Sequence, residues 1–216
     1  MQEDISLTPF TEGRFIRIEF TKMAKTELHI FLIRHQRPVV SKQGWFSRQQ
    51  ASQFLMDYDA CAIEELVTKP TGLPAKPLTK VYCSSLPRAK QTAQAIFGPE
   101  VTLMEDPVFD EFPRQVFPLP FLKFPIKFWL FGARVLWLLG LNSRNLETFR
   151  QARVRARKAA QQLAHQADTD GKVVLVAHGF LNIFIRKALR KMGWRVVRYD
   201  GTGFLGVSEL VKEAEK

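Results

Sequence analysis

A chain of 216 residues, 46% hydrophobic and 25% charged, is long enough to bury a core of its own, and this balance excludes a disordered or fibrous polypeptide. Its 32 Lys and Arg against 21 Asp and Glu leave a formal charge of +11, which favours anionic partners: phosphorylated metabolites, nucleic acid or an anionic membrane face. Two cysteines, Cys61 and Cys83, argue against a disulfide framework and suit a reducing cytoplasm, and neither has neighbours at metal-ligand spacing.

Residues 1–26 lack the apolar stretch of a secretory signal, because Arg14, Arg17, Glu19 and Lys22 interrupt every candidate run; a cytoplasmic protein is expected. Arg14 to Phe20 alternates weakly and reads either as an extra edge strand or as a flexible extension, and Met23 offers an alternative start. Leu28 to Ile33 is almost wholly apolar, the pattern of a central strand covered on both faces. Arg34 and His35 end that run, and Pro38 stops the strand. Ligands of open α/β sheets bind beyond the carboxyl ends of strands, so a cation and an imidazole stand where a site is expected. A lone histidine there is more often hydrogen-bonded structure or surface than a catalyst, and the pair needs corroboration.

Ser47 to Tyr58 predicts a helix with Ser47 as N-cap and Phe54, Leu55 and Tyr58 on one face. Pro70, Gly72, Pro74 and Pro77 then mark a loop. Val81 to Cys83 is a short strand running into SSLPRAKQTAQAIF, with Arg88 in the first turn of a helix opened by Pro87 and closed at Gly98-Pro99. Val101 to Met104 reads as another strand, leading to a loop with the adjacent carboxylates Asp110 and Glu111, by default a solvated pair.

From 115 to 141 three prolines and three cations interrupt an apolar stretch, which excludes a convincing bilayer span. Ile126 to Leu139 predicts a helix apolar over too wide an arc for one stripe, needing cover on several sides. A buried helix, a self-association surface, a lid and a membrane-surface contact all satisfy that need. Glu147 to Gln166 predicts a helix with Phe149, Ala152, Val154, Ala156, Ala160 and Leu163 inward, and Arg150, Arg153, Arg155, Arg157 and Lys158 mostly outward. No aromatic stacking platform accompanies these cations, so they read as a solvated face rather than a nucleic-acid stripe. Lys172 to Ala177 is a third apolar strand, ending in His178-Gly179. The helix Phe180 to Met192, closed by Gly193, and strands over Val196 to Tyr199 and Phe204 to Val211 complete the chain. His29 reads as structural and His165 as surface.

Strand, then cation or imidazole, then helix thus recurs at Arg34-His35, Arg88 and His178. With these residues the chain resembles the histidine phosphatase superfamily, the phosphoglycerate-mutase-like proteins. Arg34-His35 stands where the family carries its RHG motif, SSLPRAKQTA matches its SSxxxRAxQTA helix start, and VVLVAHG matches its late strand and second histidine. Gln36 replaces the motif's Gly, and Pro38 replaces a usual Thr or Ser. The resemblance spans roughly residues 27–210, apart from a poorly matched stretch over 113–146. A single domain, with residues 1–26 as an N-terminal extension and 113–146 as an apolar, Trp-rich insertion, is the organisation expected.

The resemblance implies an α/β three-layer sandwich: a mostly parallel central sheet with helices on both faces. It implies a phosphomonoester hydrolase that forms a phosphohistidine on a small phosphorylated substrate, without metal or cofactor. His35 would be the nucleophile and Glu111 the general acid, with Asp110 in reserve. Arg34, Arg88, a protonated His178 and Gln36 would hold the phosphate. The alternatives are a mutase, or a weakly active phosphate-binding scaffold whose insertion contacts a partner or a membrane. Nucleic acid is not an expected partner, and a homo-oligomer would form through the insertion.

Overall fold

The alternation of side chains within Leu28 to Ile33 sorts the whole core. In the computed structural model of the chain, residues 27–74, 78–119, 121–141 and 146–214 are described. The expected edge strand at Arg14 to Phe20 and the start at Met23 lie outside them. In chain order the elements are β1 (Glu27–Arg34), β2 (Trp45–Phe46), α1 (Arg48–Ala60), β3 (Lys80–Cys83), α2 (Pro87–Phe97), β4 (Thr102–Glu105), β5 (Phe124–Pro125), α3 (Ile126–Leu138), α4 (Phe149–Asp170), β6 (Lys172–Ala177), α5 (Gly179–Lys191), β7 (Arg195–Tyr199) and β8 (Val207–Glu213). A six-stranded sheet runs in the order β4-β3-β6-β1-β8-β7. β1, β3, β4 and β6 pair in parallel, while β8 runs antiparallel to both β1 and β7. The architecture is the expected mixed, mostly parallel α/β sheet.

Leu28, Ile30 and Leu32, with Tyr82, Val173, Leu175 and Ala177, face α4 and α5. Phe31 and Ile33, with Val81, Cys83, Val174 and Val176, face Ala93 and Ile96 of α2. A period of two divides each strand between the layers, which is why these strands read as continuous apolar runs. β1 is locked to β6 in the register Phe31–Val174, and a slip by one residue would exchange the two faces. His29, half-buried, is tied to Glu209 of β8 at 2.8 Å, a structural role.

Helix ends follow their capping chemistry. Ser47 Oγ accepts from the Gln50 N–H while Gln50 Oε1 accepts from the Ser47 N–H, and Thr148 with Gln151 repeats this box at α4. Alanines at 152, 156, 159, 160 and 167 let α4 lie close on the sheet. One expectation for this helix fails, and one of the five cations departs from the outward majority. Val154 is exposed, because it falls off the alanine stripe. Arg155 turns inward: it pairs with Glu147 at 2.8 Å and donates to the carbonyls of Val108 and Asp110.

α3 buries Ile126, Trp129, Ala133 and Trp137, positions i, i+3, i+7 and i+11, and Val116, Ile126 and Trp129 pack on Ala51, Phe54 and Tyr58 of α1. Trp129 Nε1 donates to Phe46 O at 2.8 Å, and β2 pairs with β5, so the segment is stitched over α1 at its start. Gly132 is required there: a Cβ would stand 2.6 Å from the Phe117 ring crossing the helix. The cover expected on several sides is absent among the described residues, since Phe128, Phe131, Leu138 and Leu139 are exposed. Among those residues no helix is long and apolar enough to cross a membrane.

Candidate active site

Three parallel strands end side by side, and each delivers one part of the site. β1 gives Arg34 and His35, β6 gives His178, and β3 leads through Ser84 and Ser85 into α2 and Arg88. The strand ends are pinned beyond the sheet: His35 N–H donates to Ala177 O at 2.9 Å, Ser84 N–H to Val176 O at 3.2 Å and Arg34 N–H to Gly206 O at 3.1 Å. The His35 and His178 rings meet edge-on, 5.1 Å between centroids. Gly179 starts α5 directly against Arg34, where a Cβ would lie 3.0 Å from Arg34 Cδ.

The two imidazoles are held as different tautomers by their partners. His35 Nδ1 lies 2.6 Å from Gln36 O, so it carries the proton and leaves the Nε2 lone pair free. The Ser84 hydroxyl donates to Asp110 Oδ1 at 2.6 Å, which obliges His178 Nε2, 2.8 Å away, to donate to Ser84 Oγ. His178 Nδ1 is then the unprotonated nitrogen, buried and without a hydrogen-bond partner among the described residues, as are Arg34 Nε and Arg88 Nε.

His35, Arg88 and His178 are 2%, 1% and 0% exposed. Burial, followed by the Arg88 charge, lowers His35 to about 3 and pushes His178 well below the ordinary imidazole value. The sequence reading expects His178 as a cation, whereas burial and the neighbouring positive charges favour its neutral imidazole. Burial also lowers Arg34, offset by Tyr58 and Glu111.

The site residues foreseen from the sequence occupy distinct settings. Arg88 Nη1 reaches Asp59 Oδ1 at 2.9 Å and Tyr58 O at 3.4 Å, its guanidinium over the Tyr58 ring. Glu111 lines a cleft of about 280 Å³ with Arg34, Arg114, Leu130, Arg134 and Gly179; its carboxylate accepts from the Phe112 N–H at 2.9 Å and from the Phe180 N–H in the first turn of α5 at 3.4 Å. Asp110 turns the other way and accepts from both Ser84 and Ser85, bracing the turn before α2. The Gln36 side chain is engaged by its own loop. Its amide donates to Glu65 O at 3.3 Å and accepts from the Arg37 N–H at 2.8 Å. Positive φ among the described non-glycine residues occurs at Phe121 and Leu205, so the loop does not require glycine at Gln36.

Four neighbours escaped the sequence reading: Tyr58, Arg114, Arg134 and Phe204. Arg114 stands over Tyr58 and adds positive charge to both imidazoles, and only its place three residues after Glu111 could have marked it. Arg134, lowered by burial to about 10, extends from α3 into the cleft, stacks on Phe180 and donates to the carbonyls of Phe112 and Pro113. Phe204 lies 4.0 Å from the Arg34 guanidinium and 5.6 Å from the His35 ring, covering His35 from the β7–β8 loop.

The family model of the histidine phosphatase superfamily (branch 1) matches residues 30–208, and the chain belongs to that family. Among solved structures it is similar to the ecdysone phosphate phosphatase of Bombix mori, with 16% identity, 88% of this chain and 92% of that one covered, and a TM-score of 0.54. It is also similar to the phosphoglycerate mutase of Bacillus anthracis (14% identity, 88% and 89% covered, TM-score 0.49) and to a mycobacterial glucosyl-3-phosphoglycerate phosphatase (19%, 76% and 80%, 0.49). At 16% identity the likeness to the first of these concerns the fold alone. No curated protein matches the chain.

Two imidazoles buried neutral make stability depend on pH with a definite sign. Both native pKa values lie below the ordinary 6.5, so the unfolded chain binds more protons as pH falls through that value. The contribution is complete above about 6.5 and is lost toward the native value of about 3 for His35. Stability should fall by roughly 1.4 kcal/mol per pH unit for each histidine involved. Urea titrations between neutral and mildly acid pH check this, and His178→Gln should flatten the slope.

Proposed function

We propose that the chain is a phosphomonoester hydrolase acting on a small phosphorylated substrate through a phosphohistidine at His35. The observation that carries this reading is the free Nε2 of a His35 ring that meets His178 and feels the charges of Arg88 and Arg34, together with buried nitrogens on Arg34, Arg88 and His178 that have no partner among the described residues. Apolar or neutral ligands would leave those groups desolvated and unmatched, whereas a phosphoryl group offers oxygens to all of them.

In the reaction the Nε2 lone pair attacks phosphorus as the phosphorus–oxygen bond to the leaving group breaks. Arg34 and Arg88 hold the peripheral oxygens, and His178 becomes a cationic donor through Nδ1 as it takes a proton on substrate binding. Glu111 gives its proton to the leaving oxygen. The resulting carboxylate removes a proton from water, whose oxygen attacks phosphorus; the phosphorus–nitrogen bond breaks and its electron pair returns to Nε2.

Glu111→Gln tests the scheme. With p-nitrophenyl phosphate, whose leaving group needs no proton, phosphoryl transfer to His35 should proceed while hydrolysis slows roughly a hundredfold, so acid-labile, base-stable protein-bound phosphate accumulates. An alkyl phosphate should lose both steps. A variant that turns over without any protein-bound phosphate would remove the covalent route.

A further inference from the structure

We infer that the outward face of α3, with the neighbouring β2–β5 ribbon, docks on an anionic lipid bilayer surface. At 3.6 residues per turn, α3 divides into three sectors. Ile126, Trp129, Ala133 and Trp137 enter the core, and Leu130 and Arg134 line the cleft. The remaining arc carries Phe128, Phe131, Leu138 and Leu139, all exposed, Phe131 at 72%. Trp45, 67% exposed, pairs with Pro125 at the start of the helix, and Leu141 extends the apolar surface past its end. Exposed apolar side chains gathered on one helix arc mark a contact, and their Trp and Phe content suits the interface between headgroups and acyl chains.

Charge selects the occupant. No Asp or Glu occurs between Glu111 and Glu147 or between Arg34 and Asp57, the two segments that β2 and β5 join. The exposed charges that flank β5 and open α3, Lys123 and Lys127, are positive, and Lys42 of the β2 segment lies near enough to feel the Lys127 charge. A second copy would set this basic rim against its own like in a chain already at +11, whereas acidic lipid headgroups neutralise it. α3 has 13 residues and cannot span a bilayer, so the helix lies in the interface plane.

The test is co-sedimentation of the full chain with phosphatidylcholine vesicles, with and without phosphatidylserine, alongside gel filtration. Binding should require phosphatidylserine and weaken as salt rises. The double variant Phe131→Ser, Leu139→Ser should reduce partitioning at least about tenfold. Both side chains face solvent, so its melting temperature should stay at the wild-type value. Lys123→Glu, which alters no packing, should reduce binding to the acidic vesicles about fivefold or more. Failure of the wild-type chain to sediment, or equal binding by wild type and all variants, would overturn the inference. So would a dimer that the double variant dissolves without any vesicle binding, which would identify a second copy as the occupant. The outcome is independent of catalysis.

Discussion

If His35 is the attacking group as proposed, His35→Ala should lower kcat/KM by at least about ten-thousandfold and abolish protein-bound phosphate, because its neighbours Ser84, Cys83 and His178 are poor substitutes. Ser84 spends its hydroxyl proton on Asp110 and accepts from His178. Cys83, buried at the end of β3, has its thiol pushed up to about 12 and is no thiolate at neutral pH. His178 could offer only Nδ1, and its ring orientation is fixed by Ser84 at the opposite nitrogen. Steady-state kinetics across a panel of phosphorylated compounds give the measurement, with His35→Gln as a control of closer volume. Activity above about one percent of wild type in both variants would exclude His35 as the attacking group.

Arg88→Met should move activity and stability in opposite directions. Loss of one preorganised cation at a developing phosphoryl charge costs roughly a hundredfold to a thousandfold in kcat/KM. Stability should hold or rise. Arg88 is almost wholly buried among other cations, Met is similar in length and apolar, and replacing a buried ion with a packed side chain is often neutral or stabilising. The partner left behind, Asp59, is about half exposed and returns to water at little cost. The Arg88 charge is also the largest charge effect lowering both imidazoles, so its removal should raise their pKa values and flatten the acid limb of the stability profile. Calorimetry and kinetics on one preparation decide the matter. A variant that lost stability in proportion to activity would make Arg88 a structural cation instead.

The parts of this molecule legible in the sequence are those whose physics is local. Leu28 to Ile33 and Lys172 to Ala177 announce themselves as strands covered on both faces, and Ser47, Pro87 and Gly193 mark helix limits by their capping chemistry. The His35–Arg88–His178 constellation was legible because each member directly follows a strand or opens a helix. What stayed hidden depends on tertiary approach. Gln36 could be placed beside the nucleophile, but only the loop at Glu65 explains where its amide goes. Arg155 sits in a run of basic residues that looks uniformly solvated, and its inward turn depends on the backbone carbonyls of a loop some 45 residues earlier in the chain. The helical pattern of α3 was visible, yet its period could not reveal that one apolar arc would meet α1 while another met nothing in the described chain.

Glu111 is strung between two posts of different kinds. Arg155, rooted in α4 and braced by Glu147, grips the backbone at Val108 and Asp110 just before it, while Arg134, rooted in α3, grips Phe112 and Pro113 just after it. The first post belongs to the rigid layer against the sheet and the second to the segment lying over α1. The backbone that carries the Glu111 carboxylate is thus held on both sides, by side chains from two separate helices.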